Sequence, residues 1–110
     1  MDIKAAALQK KETSHLIFWL KEGPNTFGSH PRNNFVFPEA SIAFHAGILF
    51  LKKNTVLIRA AESANITHQK APIDNRLIYS GGTSLPLESE HLEFKIINQD
   101  GRLGLEVKER

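Results

Sequence analysis

From residue 15 onward the sequence never holds one run of apolar residues for long. Nine short runs rich in β-branched and aromatic residues follow one another: HLIFWLKE, NTFGS, NFVF, SIAFHAGILFL, TVLIRA, NITHQ, RLIYS, HLEFKII and RLGLEVK. Turn chemistry separates them, as EGPN, SHPRN, KKN, SGGTSLP and NQDG. Short runs at this spacing predict short strands, which bury their apolar faces by folding onto one another as an antiparallel sandwich or barrel. The alternation is clearest in HLEFKI, which puts Leu92, Phe94 and Ile96 on one face and His91, Glu93 and Lys95 on the other. Asp100-Gly101 is the strongest hairpin signal, because that pair accepts the positive φ angles of a tight turn. Pro24, Pro31 and Pro38 are expected at strand ends, where a missing N–H breaks no ladder.

The chain has 110 residues, enough for one domain with one modest core. Residues 2–12 combine Ala, Leu, Gln, Lys and Glu without Gly or Pro, and predict a short helix. About three turns are marginal alone, so Ile3, Ala7 and Leu8 would have to pack on the domain. The expected division is therefore a helical segment over residues 1–13 and a single β domain over 14–110, with no linker or internal repeat. A formal charge of +2, spread along the chain, is too small for a phosphate-tracking surface, so no nucleic acid is expected. With no cysteine there is no disulfide framework or thiolate chemistry. The apolar run LIFWL is far shorter than a signal core or a membrane span. The expectation is a cytoplasmic protein without membrane contact.

Catalytic and metal-binding constellations are weak. Histidines 15, 30, 45, 68 and 91 show neither the two-residue strand spacing nor the four-residue helix spacing that brings two imidazoles to one ion, so no metal is expected. His45, inside an apolar run, reads as a half-buried, hydrogen-bonded side chain. YSGGTS, residues 79–84, lacks the Lys-Ser/Thr ending of a phosphate loop and reads as a hairpin tip. No serine sits in a G-x-S-x-G elbow, and Glu88 and Glu90, flanking Ser89, read as solvated carboxylates. Asn33 and Asn34 read as turn residues. Trp19, with Phe18 and Leu20, reads as an anchor of the core or of a seam with a neighbouring segment. Neither catalysis nor a cofactor is expected.

The stretch FWLKEGPNTFGSHPRNNFVFP, residues 18–38, closely resembles the opening of a bacterial family known as domain of unknown function 1684. The residues carrying this are Trp19, Leu20, Gly23, Asn25, Thr26, Phe27, Gly28, Ser29, Pro31, Asn33, Val36, Phe37 and Pro38. Near the other end, Gly101, Arg102 and Gly104 are similar to that family's Gly-Arg-x-Gly strand. The resemblance covers roughly residues 14–108 and the family's first half. It implies a missing C-terminal half, the chain being either a natural short member or a trimmed piece.

That half in turn resembles a forkhead-associated (FHA) β-sandwich, a fold whose loops can grip phosphothreonine. The expected fold is therefore all-β, an FHA-like antiparallel sandwich with a short N-terminal helix. The FHA likeness nominates Gly28, Ser29, His30, Arg32 and Ser41 as ligand-binding residues at a loop rim. It also exposes three departures. Ser29 stands where Arg usually follows the turn glycine, Ser41 and His45 are four apart rather than three, and Asn65 precedes Ile66 instead of a glycine. A serine hydroxyl cannot replace the planar fork of donors that arginine offers a phosphate. The reading is a non-catalytic binding or scaffolding domain whose partner is another protein or the missing half. The alternatives are a degenerate phosphopeptide module using Ser29, Arg32 and Ser41, and a partial domain of an enzyme with His30 and Arg32 contributing.

Overall fold

The computed structural model describes residues 15–38 and 41–109. Among these, twelve strands form two six-stranded sheets. They are β1 (Leu16–Trp19), β2 (Gly23–Gly28), β3 (Phe35–Val36), β4 (Gly47–Lys52), β5 (Thr55–Ala60), β6 (Thr67–His68), β7 (Ala71–Pro72), β8 (Asn75–Ser80), β9 (Thr83–Ser84), β10 (Leu87–Ser89), β11 (Leu92–Gln99) and β12 (Arg102–Glu109). One sheet, here the terminal sheet, has the order β1-β12-β11-β10-β6-β7. The other, the central sheet, runs β3-β2-β4-β5-β8-β9. The sandwich expected from the succession of short runs is the fold observed. Residues 1–13, with the expected helix, lie outside the described residues.

The core lies between the sheets and follows the two-residue period. Leu92, Phe94 and Ile96 are buried while Glu93 and Lys95 are exposed. From the central sheet, Phe27, Leu49, Val56 and Ile58 meet them, all fully buried. The ring of Phe27 approaches Phe94 edge-on, with centroids 6.1 Å apart. Phe37 does the same at 6.2 Å. Each such side chain contributes about 2 kcal/mol by leaving water, which makes this seam the main source of cohesion. At the open side, Phe18 stacks on Phe35 and Phe37, at 5.0 and 5.5 Å, and so ties β1 to the central sheet.

Local turn chemistry sets the hairpins. Asp100 and Gly101 both have positive φ, 55° and 87°, and close the β11–β12 ladder from Leu92↔Glu109 to Gln99↔Arg102. Gly81 and Gly82 close β8–β9 in the same manner, at 59° and 82°, so YSGGTS is a hairpin tip. The Gly-Arg-x-Gly pattern also has a structural cause. A Cβ on Gly104 would lie 2.8 Å from the Trp19 ring, and Arg102 sits 4.5 Å from that ring's centroid. Trp19 thus caps the strand pair β1–β12 on its outer side.

Three local expectations change. Only residues 47–52 of SIAFHAGILFL form a strand. Residues 42–44 instead use their carbonyls to hold the neighbouring loop, so they have no ladder to join. The pairing is not wholly antiparallel, because β2 and β3 run parallel through Phe27↔Phe35 and Gly28↔Val36. Ser89 is buried, and its hydroxyl donates to the Ala64 carbonyl at 2.5 Å, while Glu88 accepts from the Thr67 hydroxyl at 3.1 Å. No helix of the described residues is long and apolar enough to cross a membrane.

Candidate functional site

All the residues nominated from the sequence lie at one end of the sandwich, with Gly28 closing β2 and the others in the segments joining β2 to β3 and β3 to β4. Gly28 makes this end possible. A Cβ there would lie 2.1 Å from the carbonyl oxygen of Phe44, a backbone atom with no room to retreat. Glycine lets the two segments touch, and three backbone bonds then zip them together. Ser29 N–H donates to Ala43 O at 3.1 Å, His30 N–H to Phe44 O at 3.1 Å, and Ala46 N–H to Phe27 O at 2.9 Å.

Side chains complete the lacing. The Ser29 hydroxyl donates to Ile42 O at 2.9 Å. Asn33, which is 8% exposed, donates through Nδ2 to Phe44 O at 2.7 Å and to His30 O at 3.0 Å. Asn34 Oδ1 accepts from Thr26 N–H at 2.8 Å and from the Thr26 hydroxyl at 3.0 Å. Deeper in, fully buried Asn25 donates to Lys21 O, Gly23 O and Leu49 O and accepts from Lys21 N–H. Every polar residue of the NTFGSHPRNN stretch that is bonded here is bonded to its own fold. Both asparagines 33 and 34 are the turn residues the sequence implied.

The placement of the five nominated residues bears directly on anion binding. A phosphate needs several N–H or O–H donors pointing at one place. The backbone N–H groups of Ser29 and His30 already have carbonyl partners. The Ser41 hydroxyl donates to Pro38 O at 2.5 Å. Arg32 N–H donates to His30 Nδ1 at 3.1 Å, which places the proton of a neutral His30 on Nε2. The Arg32 guanidinium is exposed and has no hydrogen-bonding partner among the described residues. Ser41 lines a separate recess of about 590 Å³, shared with Ile42, Ser63, His91 and Leu92.

Two features of this end had no sequence signal. Phe44 is 67% exposed, the most exposed large apolar side chain described, although its neighbours Ile42 and Ala46 are buried. Simple alternation would have put all three on one face. His45 is exposed rather than half-buried; its ring stacks on His30 at 5.1 Å, and His30 meets Phe44 edge-on at 5.9 Å. His45 also shares a shallow recess of about 450 Å³ with Thr26, Asn33, Ile48 and Arg59. Asn65 adopts the left-handed conformation, φ 52° and ψ 46°, as the cap of a short 3-10 turn at Glu62–Ala64, so it fills a turn position without a following glycine. Among the described residues, no group of three or more His, Asp or Glu side chains could hold a metal ion.

No family model and no curated protein matches this sequence. A solved FHA domain, from a structural and functional analysis of phosphothreonine-dependent FHA domain interactions, does match in structure. It aligns with a TM-score of 0.52 over 87% of this chain and 96% of its own, at 15% identity. The fold is FHA-like. At that identity the likeness is one of architecture, and the loop chemistry described above is this chain's own.

Proposed function

We propose that the chain is a cytoplasmic, non-catalytic binding or scaffolding domain that presents its loop end to another protein. We further propose that it corresponds to the first half of a 1684-family protein, whose second half is then a candidate partner. The observation that carries this reading is Phe44. A large aromatic side chain stands 67% exposed on a segment pinned by bonds to Ala43 O and Phe44 O and from Ala46 N–H. A rigid, solvent-facing aromatic loses little entropy on contact and is the kind of group around which protein interfaces concentrate their affinity. The His30 ring meets it edge-on and stacks in turn on His45, and Arg32 lies on the same loop as His30.

A phosphopeptide reading follows from what the similar FHA domain is described as binding. It would rest on Arg32, whose guanidinium is unpartnered among the described residues, with Ser29 and Ser41. Three of the other donors in that set already have partners, so the protein-contact reading is preferred. Amide NMR separates the two. The isotope-labelled chain would be titrated with free phosphate, with phosphothreonine peptides, and with the second half of a 1684-family protein. The expected result is saturable shifts at His30, Phe44 and His45 with the second half and none with phosphate. Shifts at Gly28, Ser29, Arg32 and Ser41 with phosphopeptides alone would replace this reading by the phosphopeptide one.

A further inference from the structure

The two outer faces of the sandwich are chemically unlike. On the terminal sheet, outward positions of β11 and β12 pair opposite charges across the ladder, Glu93↔Lys108 and Lys95↔Glu106. Glu106 also contacts His15 at 2.7 Å and Lys95 at 4.0 Å. That is an ordinary solvated face with its charges balanced.

The central sheet presents something else. Its register sets Pro24, Phe50, Leu57 and Leu77 side by side across β2, β4, β5 and β8. Leu57 is 39% exposed and Leu77 51%. Four strands at roughly 4.8 Å spacing make this an apolar row of about 14 Å. One residue pair to one side of the row stands Arg59, beside Ile48; one pair to the other side stands Lys52, beside Thr55. Each cation lies about 7 Å from the row along its strand. No carboxylate occupies an outward position within β2, β4, β5 or β8; Glu22, just before β2, accepts from Lys53 N–H next to Lys52, and neither Arg59 nor Lys52 has an ion-pair partner among the described residues.

An apolar row with a cation unpaired on each flank has a definite complement. We propose that the outer face of the central sheet is a docking surface for an acidic amphipathic helix of a protein partner. Apolar side chains at i, i+3, i+4 and i+7 span about 10 Å, which fits the row. Glutamates on either edge of that stripe reach Arg59 and Lys52. This surface adjoins the Phe44 end at Arg59, which also lines the recess beside His45, but its apolar row lies outside that end, so the proposal stands whether or not Phe44 binds anything.

The test uses the whole isotope-labelled chain and two synthetic helical peptides with one leucine stripe, flanked by Glu in one and by Lys in the other. The Glu-flanked peptide is expected to shift the amides of Phe50, Leu57, Arg59 and Leu77 saturably. Its affinity should exceed that of the Lys-flanked peptide by about tenfold and fall with added salt. The double variant Leu57→Glu, Leu77→Glu, at exposed positions that leave the circular dichroism unchanged, should lose the binding. Equal affinity for both peptides, or no shifts at this face, overturns the proposal. So does concentration-dependent broadening of the same amides without peptide, which would make a second copy the occupant. A shift of residues 2–12 caused by the double variant alone would assign the face to the chain's own N-terminal segment, and also overturns it.

Discussion

The β11–β12 turn and the loop end solve the same problem, reversing the chain, by opposite means. The turn is local: Asp100 and Gly101 take positive φ, and Gly101 N–H reaches only as far back as Asn98 Oδ1, at 2.8 Å. The loop end is assembled across the sequence. Ser29 reaches Ile42, Asn33 reaches Phe44, and Gly28 exists to let those partners approach. A local turn can be damaged without releasing anything else. A laced loop fails as a unit, because each bond positions the partners of the next.

Substitutions can break that contrast, and equilibrium urea unfolding would rank them through the midpoint at constant slope. Gly28→Ala should cost most, about 3 kcal/mol, because its new Cβ meets backbone that is itself bonded. Asn33→Ala comes next, at about 2 kcal/mol, since it strips one donor each from His30 O and Phe44 O in a poorly hydrated place. Gly101→Ala should cost about 1 kcal/mol, the penalty of a positive φ with a Cβ in open space. Arg32→Ala should stay within about 0.5 kcal/mol, as its side chain is exposed and unpartnered among the described residues. If Gly101→Ala proved costlier than Gly28→Ala, the distinction between local and laced would be wrong. If Arg32→Ala unfolded the domain, Arg32 would be structural and its place at the binding rim would have to be given up.

The same contrast explains what could be read from the sequence. Alternation in HLEFKI, the Asp100-Gly101 pair and the glycines of YSGGTS act over a few residues, and each stands where its local chemistry put it. The sandwich follows from many such signals adding up. Residues 41–46 misled because their apolar character is strand-like while the carbonyls of residues 42–44 are claimed by residues 29–33. Nothing within the run announces that claim. Likewise, the exposure of Phe44 and His45 and the row from Pro24 to Leu77 depend on which strands become neighbours. The stretch 18–38, read as resembling a family opening, matches no family model. Its asparagines, glycine and serine turn out to bind the protein's own backbone.

The pairing of β1 with β12, Leu16↔Val107 through Trp19↔Gly104, sets a timetable for the growing chain. Residues 16–19 leave the ribosome well before residues 104–107, their ladder partner among the described residues. At roughly 5–20 residues per second, that strand waits on the order of 5–20 s with its amides unpaired and Phe18 unclaimed by a finished core. During synthesis the edge is open to any passing strand or chaperone. What closes that edge is a single event, the arrival of the strand that carries Gly104 to the Trp19 ring.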